Sequence, residues 1–317
     1  MLRRLFLAAA CCLFIAAPAF AQTKQTRIIV AFAPGGPVDS VGRVLADQLA
    51  KELGRTVIVD NKPGANGAIG AQEVMKSAAD GTTIWITSVG AVSVNPALYE
   101  ALPYDMAKDF APVSVVVNNV EVLVINPNDK ARDATEFVAN AKAAKDTPMA
   151  SSGIGSIPHL AIEQLADATG ARLLHVPYKG AAPALADVMG GQVAGFFGDV
   201  PGLLGHVRGG KLRAIGVAAP SRHPALPNVK TFEEQGFKGI DTNNWYALFV
   251  AAKTPPEVID ALNKATRAAL TNPEVKAKLL AMGAEPAPST PGELAALMAK
   301  DTAKWTAMIK AKGIKGE

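Results

Sequence analysis

Residues 27–59 read RIIVAFAPGGPVDSVGRVLADQLAKELGRTVIV, and this stretch decides the fold. The β-branched run over 27–32 predicts a strand, and apolar residues at helical spacing predict a helix over 39–53. A further strand, a helix and a third strand are predicted at 56–59, 68–79 and 82–87. The result is a β-α-β-α-β unit, which is typical of a mostly parallel sheet covered by helices.

The same alternation begins again near residue 122. Strands and helices are predicted in turn at 122–125, 133–144, 149–151, 158–169, 172–176, 183–189, 193–197, 201–207 and 212–218. A strand at 246–251 then leads into three helices, at 255–270, 273–281 and 291–309. Because helices alone cannot close a domain here, we expect them to pack on the first sheet. The sequence thus predicts an α/β fold of two lobes with a hinge and two chain crossings: residues 22–122 plus 246–317, and residues 123–245.

The first 21 residues have the order of a cleavable secretory signal. Arg3 and Arg4 precede an apolar run that ends at Ala19-Phe20-Ala21, and this run is shorter than a membrane-spanning helix needs. We therefore predict a signal peptide over 1–21 and a periplasmic mature protein. The two cysteines of the chain leave with the signal, so the mature protein has no disulfide and no thiolate chemistry.

Composition excludes several classes of function. With 49% hydrophobic and 19% charged residues, the chain is globular, and loss of the signal leaves 30 basic against 28 acidic residues. Aromatic residues make up 6% of the chain and no basic stripe accompanies them, so we expect no nucleic-acid partner. Nucleotide-binding motifs are absent, and the four histidines are scattered without metal-ligand spacing. We expect no cofactor, no metal and a monomer.

A glycine turn between the first strand and helix is the first candidate binding element. Phe32, Ala33, Gly35 and Gly36 belong to this turn, where paired glycines allow close approach of a ligand and free helix amides attract an anion. The alternative is a plain tight turn in which Asp39 caps the helix.

A serine-glycine loop forms the second candidate element. Ser151, Ser152, Gly153 and Ser156 lie between a strand and a helix, where hydroxyls and amides suit a carboxylate. The same loop precedes His159 and raises the alternative of a secreted Ser/His hydrolase. No G-x-S-x-G motif surrounds any serine, which disfavours that alternative.

Three further polar residues follow predicted strands. Ser88, Tyr178 and Asp199 stand at carboxyl ends of strands, where open α/β sheets bind ligands. Asp199 either accepts a hydrogen bond from a donor group on the ligand or caps the next helix, and Tyr178 either faces the ligand or belongs to a capping turn. Together with Phe32 and Trp245, Tyr178 raises the hypothesis of an aromatic wall that favours flat aromatic acids.

Six segments in series carry a family resemblance that covers essentially the whole mature chain. They are FAPGGPVDSVGR (32–43), VIVDNKPGANGAIGA (57–71), SSGIGSIPHLAIEQL (151–165), HVPYKGAAPALADVMGGQVAGFF (175–197), KLRAIGVAAPSRHPALPNV (211–229) and WYALFVAAKTPPEVIDALN (245–263). In these the chain resembles the substrate-binding proteins of tripartite tricarboxylate transporters, the Bug or TctC-like family.

The resemblance implies a type II periplasmic binding protein and not an enzyme. Two lobes would close on a small dicarboxylate, tricarboxylate or aromatic carboxylate and deliver it to a membrane permease of one large and one small subunit. The loops over 32–39 and 151–156 would hold the carboxylate, partly through backbone amides and waters. A receptor that signals without transport remains an alternative.

Overall fold

The computed structural model describes residues 25–316, so the predicted signal peptide lies outside the described residues. Its strands are β1 (Thr26–Val30), β2 (Val57–Asn61), β3 (Thr83–Ser88), β4 (Phe110–Asn118), β5 (Glu121–Ile125), β6 (Thr147–Ser151), β7 (Leu173–Pro177), β8 (Gly195–Asp199), β9 (Arg213–Val217), β10 (Tyr246–Ala251) and β11 (Glu285–Pro286). Its helices are α1 (Pro37–Leu53), α2 (Ala68–Met75), α3 (Asn95–Leu98), α4 (Met106–Asp109), α5 (Ala134–Ala143), α6 (Ile157–Thr169), α7 (Ala181–Met189), α8 (Val200–Arg208), α9 (Pro256–Thr271), α10 (Pro273–Ala281) and α11 (Pro291–Lys312).

The strands form two separate sheets. The first has the order β11-β4-β10-β3-β1-β2, and the second has the order β7-β6-β8-β5-β9. Strands β1, β2 and β3 run parallel, as do β6, β7 and β8. In each sheet the chain that arrives from the other lobe adds an antiparallel strand, β10 beside β3 and β5 beside β8. Each lobe is therefore a parallel core extended by antiparallel strands.

Two short segments connect the lobes. Strand β4 ends at Asn118 in the first sheet and β5 begins at Glu121 in the second, and the chain returns just before Tyr246. Val120 and Asn243 form an isolated antiparallel bridge, so the two segments run side by side. The predicted lobe boundary at residue 122 falls inside β5, because Glu121 already pairs with Asp199 of β8. The first crossing thus lies about two residues earlier than predicted.

Strand β4 is the longest of the elements that the sequence pattern did not predict, which also include α3, α4 and β11. Pro112 lies inside it, and proline cannot donate a ladder hydrogen bond. The structure accommodates Pro112 opposite Phe249, where the register of β10 shifts at an irregularity. A bulge of this kind lets a proline remain within a sheet.

Helices cover both faces of each sheet. In the first lobe, one apolar cluster joins α1, α9 and α10 to the sheet, and a second joins α2 and α11 to the opposite face. In the second lobe, α7 and α8 cover one face while α5 and α6 cover the other. Among the helices of residues 25–316, none combines the length and the apolar character that crossing a membrane requires.

Candidate functional site

Tyr246 brings strand ends from the two lobes together. It is paired with Ser88 at the end of β3, and its hydroxyl donates a hydrogen bond to Asp199 at the end of β8. A Cβ atom added at Gly202 would lie 3.0 Å from Cγ of Pro37 and 3.1 Å from Oδ1 of Asp199. The start of α8 in the second lobe therefore lies against the start of α1 in the first. The candidate site is centred on this junction.

The glycine turn before α1 is held by a carboxylate of the chain itself. Gly36, and not Asp39, is the N-cap of α1, and Asp39 lies in the first turn with Pro37 ahead of it. The carboxylate of Asp39 accepts hydrogen bonds from the Gly35 amide at 2.8 Å, from Asn61 at 2.8 Å and from Arg43 at 2.9 Å. The alternative in which Asp39 caps α1 is therefore wrong, and the Gly35 amide is already engaged.

The charge of Asp39 is balanced inside the turn. Burial of Asp39 disfavours its ionised form, but hydrogen bonds from Arg43, Gly35 and Asn61 outweigh burial and lower its pKa. Because Arg43 forms its ion pair with Asp39, it is not available as an unpaired cation for a ligand at the glycine turn. An anion here would be recognised by the first amides of α1, which lack a side-chain cap.

The remaining residues of the turn divide into two groups. Ala33 and Gly35 are exposed at its tip, and Gly35 has a φ of +78°, which favours glycine. Phe32 is half-buried and packs against the apolar clusters on both faces of the first sheet, and its carbonyl accepts a hydrogen bond from Asn61 at 3.1 Å. Phe32 therefore anchors the turn, while its tip is open to a ligand.

Two of the predicted serines face inward. Ser151 is fully buried, with its hydroxyl 2.6 Å from Nε2 of His175, and it accepts a hydrogen bond from the Gly153 amide at 3.1 Å. Ser156 is the N-cap of α6, and its hydroxyl donates to the Gly153 carbonyl at 2.7 Å. These hydroxyls shape the loop from within, whereas Ser152 and Gly153 are partly exposed on it.

A stacked histidine pair supports the serine-glycine loop. The rings of His159 and His175 are parallel, with centroids 3.6 Å apart. Burial lowers the pKa of each to about 4, so both are neutral at pH 7. Nδ1 of His159 accepts a hydrogen bond from the Gly155 amide at 3.0 Å. The serine that meets a histidine is Ser151, whose partner is His175 and not His159, and its burial keeps it from acting as a nucleophile.

Trp245 does not belong to the hypothesised aromatic wall, and the hydroxyl of Tyr178 is engaged within the second lobe. The Tyr178 hydroxyl donates to Asp187 at 2.5 Å, and this bond raises the pKa of Tyr178 to about 12. Trp245 is fully buried in the first lobe, where its Nε1 donates to Asp301 at 2.6 Å. The interpretation of Trp245 as a wall residue is wrong, because its ring belongs to the core.

Comparison with known proteins identifies the family of the chain. A family model described as the tripartite tricarboxylate transporter family receptor matches residues 41–314. The chain belongs to this family. Protein BugT of Bordetella pertussis is 36% identical over 306 residues, which cover 95% of this chain and 94% of BugT. This confirms the resemblance drawn from the six segments.

Solved structures extend the family likeness to ligands. An R. palustris protein with adipate has a TM-score of 0.87 and 30% identity, over 92% of this chain and 98% of its own. MatC from Rhodopseudomonas palustris with bound malate has a TM-score of 0.82 and 30% identity, over 90% and 99%. The predicted two-lobed periplasmic binding protein fold is confirmed. The family consists of receptors and not enzymes, so the hydrolase alternative is wrong.

The sequence did not reveal every residue of the site in this receptor. Tyr246 and Glu121 were missed, although both contact or adjoin Asp199. A signal was present in the two Asn-Asn pairs at 118–119 and 243–244, which mark the two crossings. Asn244 donates to Glu121 at 3.2 Å, and Asn119 donates to the Asn244 carbonyl at 3.2 Å.

Proposed function

We propose that this protein is a periplasmic solute receptor that captures a small carboxylate between its lobes and delivers it to a tripartite tricarboxylate-type permease. The permease would have one large and one small membrane subunit, and the receptor would act as a monomer after removal of residues 1–21. Ala33, Gly35, Gly36, Ser152 and Gly153 would surround the carboxylate, and the first amides of α1, which lack a side-chain cap, would donate hydrogen bonds to it.

The observation that carries the proposal is family membership together with the bound carboxylates of two relatives. Adipate and malate are both aliphatic dicarboxylates, and each occupies a protein that matches at least 90% of this chain. The geometry agrees, because helices α1 and α6 begin at glycine-bearing turns in opposite lobes. Helix N-termini bind anions without a cationic side chain. A ligand that contacts both lobes would favour their closed arrangement.

Ligand binding is tested by thermal unfolding of the mature protein with a panel of carboxylates. A ligand at one hundred times its Kd should add about 2.7 kcal/mol to the free energy of unfolding. The ligand should be recovered unchanged from the sample, as a receptor requires. Stabilisation by none of the aliphatic, aromatic or amino-bearing carboxylates would contradict carboxylate capture.

Ligand shape is tested in the same panel. Because Trp245 is buried in the core, we expect succinate, adipate or malate to bind more tightly than benzoate or phthalate. Isothermal titration of these acids gives the ranking. Tighter binding of the aromatic acids would contradict this expectation. It would favour an aromatic wall formed by residues other than Trp245.

Delivery and location need separate experiments in cells. Deletion of the receptor gene should abolish uptake of the identified carboxylate, while purified receptor should restore uptake to membrane vesicles that contain the permease. Uptake unchanged by the deletion, with loss of a transcriptional response to the solute, would favour the signalling alternative. Amino-terminal sequencing of the periplasmic protein should begin at Gln22, and gel filtration should give the mass of one chain.

A further inference from the structure

Two carboxyl groups lie side by side at the junction of the lobes. Glu121 and Asp199 are direct partners in the antiparallel pairing of β5 and β8. Glu121 is fully buried, whereas Asp199 is partly exposed at the end of its strand and does not cap α8 with its side chain. Tyr246 donates its hydroxyl hydrogen to Asp199. Asp199 is therefore the member of the pair that a ligand could reach.

Hydrogen-bond acceptors outnumber donors around this pair. Asn244 donates to one oxygen of Glu121, and within residues 25–316 the buried second oxygen has no partner. On the two crossing segments next to Glu121, the side-chain oxygens of Asn119, Asn243 and Asn244 are likewise buried and unpartnered in that part of the chain. Neither carboxyl forms an ion pair with a described lysine, arginine or histidine. A group that donates hydrogen bonds complements this environment, and a second carboxylate does not.

Protonation separates the roles of the two acids. Burial and the neighbouring charge of Asp199 raise the pKa of Glu121 well above its usual value, and burial raises the pKa of Asp199 to about 7. Two carboxyls this close, without a cation, hold at least one proton between them at neutral pH. Glu121 is the member that keeps the proton, and Asp199 ionises near pH 7.

Asp199 also lies beside the proposed anion turn. Its Oδ1 and Cγ of Pro37 both approach Gly202, so the carboxyl is next to the first turn of α1. The α1 amides attract negative charge and ionised Asp199 attracts positive charge. A zwitterion that carries a carboxylate and an ammonium a few bonds apart matches both.

We propose that Asp199 is a specificity-determining residue that selects carboxylates bearing an ammonium group. This inference rests on the proposed carboxylate receptor function. Binding of an ammonium stabilises ionised Asp199, so the receptor releases part of a proton to the solvent when such a ligand binds at pH 7. A plain dicarboxylate gives no such release.

The test uses ligand pairs that differ by one amino group, succinate against aspartate and glutarate against glutamate. Isothermal titration of the mature receptor at pH 7, in phosphate and in Tris, gives both Kd and the number of protons released. We expect the amino-bearing member to bind at least tenfold more tightly than its plain partner. Asp199→Asn should weaken that member at least tenfold and its partner less than threefold, because only the former loses a charge-assisted hydrogen bond.

Two further variants separate specificity from a structural role. Glu121→Gln replaces a protonated, neutral neighbour of Asp199 with a neutral amide and leaves in place the burial that raises the pKa of Asp199. Both the preference and the proton release should therefore persist. Asp187→Asn is the matched control, because Asp187 also accepts a hydrogen bond from a tyrosine in the second lobe. Asp187→Asn should change neither the ratio of the Kd values of succinate and aspartate nor that of glutarate and glutamate.

The inference is overturned if wild-type receptor binds succinate or glutarate as tightly as the amino-bearing partner, or releases no proton with either amino acid. Equal losses for both ligand classes in Asp199→Asn would also overturn it and make Asp199 structural. If that variant does not fold, the wild-type affinity ratios of the two ligand pairs and the wild-type proton count decide. Binding of none of the four acids, or of any other carboxylate in the thermal panel, would instead contradict the proposed function.

Discussion

At the scale of single residues, Gly35 combines a conformational role with its proposed ligand role. Its φ of +78° strains any L residue, and a Cβ there would meet nothing within 4 Å. Gly54, the C-cap of α1, has a φ of +61° and equally open space. We expect Gly35→Ala and Gly54→Ala each to lower the free energy of unfolding by about 1 kcal/mol. Chemical denaturation measures this, and only Gly35→Ala should also reduce ligand-dependent stabilisation, since only Gly35 lies in the proposed site. Equal ligand response in both variants would make the turn purely structural.

The protonation of Asp199 also has a stability consequence that does not depend on any ligand. Its pKa rises on folding from the usual acidic value to about 7, so the folded state holds a proton that the unfolded state has lost. This contribution to stability is complete below about pH 4 and disappears as pH rises through 7. Asp199→Asn removes the titration. Between pH 5 and pH 8, the free energy of unfolding of wild type should fall by at least about 1 kcal/mol more than that of Asp199→Asn. Urea unfolding at the two pH values measures this difference. A difference independent of pH would show that Asp199 titrates normally.

At the scale of elements, the start of α6 depends on neutral histidine. Burial lowers the pKa of His159 from about 6.5 to about 4, and Nδ1 must stay unprotonated to accept the Gly155 amide. The stabilisation is therefore present above pH 6.5 and lost as pH falls toward 4. The variant His159→Asn keeps a hydrogen-bond acceptor but does not titrate. Between pH 7 and pH 5, we expect the free energy of unfolding of wild type to fall by about 1–2 kcal/mol more than that of the variant. His206→Asn, which removes a partly exposed histidine of α8, is the control. The same slope in all three proteins would contradict a buried, neutral His159.

The elements also mark how far sequence reasoning reaches. Local periodicity predicted most helices and strands. The apolar face of each, such as that of α1, is formed by residues that recur at a regular spacing within one short stretch of sequence. Periodicity missed β4, whose place beside β10 depends on a bulge opposite Pro112. It also placed Ser151 in the ligand shell, although the partner of its hydroxyl, His175, follows 24 residues later. Interactions between distant segments decide which polar groups face the cleft, and spacing along the chain does not record them.

At the scale of the whole molecule, the lobes contact each other away from the crossings. A Cβ at Gly155 of the second lobe would overlap the side chain of Leu98 in the first, and one at Gly283 of the first would lie 2.6 Å from Val200 of the second. Ile157 and Leu160 of α6 join an apolar cluster of the first lobe. Ligand affinity should therefore include the free energy of bringing these surfaces together.

An ion pair between the lobes makes this coupling measurable. Lys312, at the end of α11 on the first lobe, contacts Glu163 at 3.2 Å and also Asp167, both on α6 of the second. The pair is partly exposed and contributes at most about 1 kcal/mol, so Lys312→Ala should raise the Kd of the best carboxylate about two- to fivefold. The radius of gyration of the ligand-free variant in X-ray scattering should increase, because the arrangement with touching lobes loses population. Lys310→Ala removes a charge from the same last turn of α11, where both lysines interact favourably with the helix dipole. It should leave the Kd and the radius of gyration unchanged. Identical Kd values for the two variants would mean that this contact does not contribute to closure.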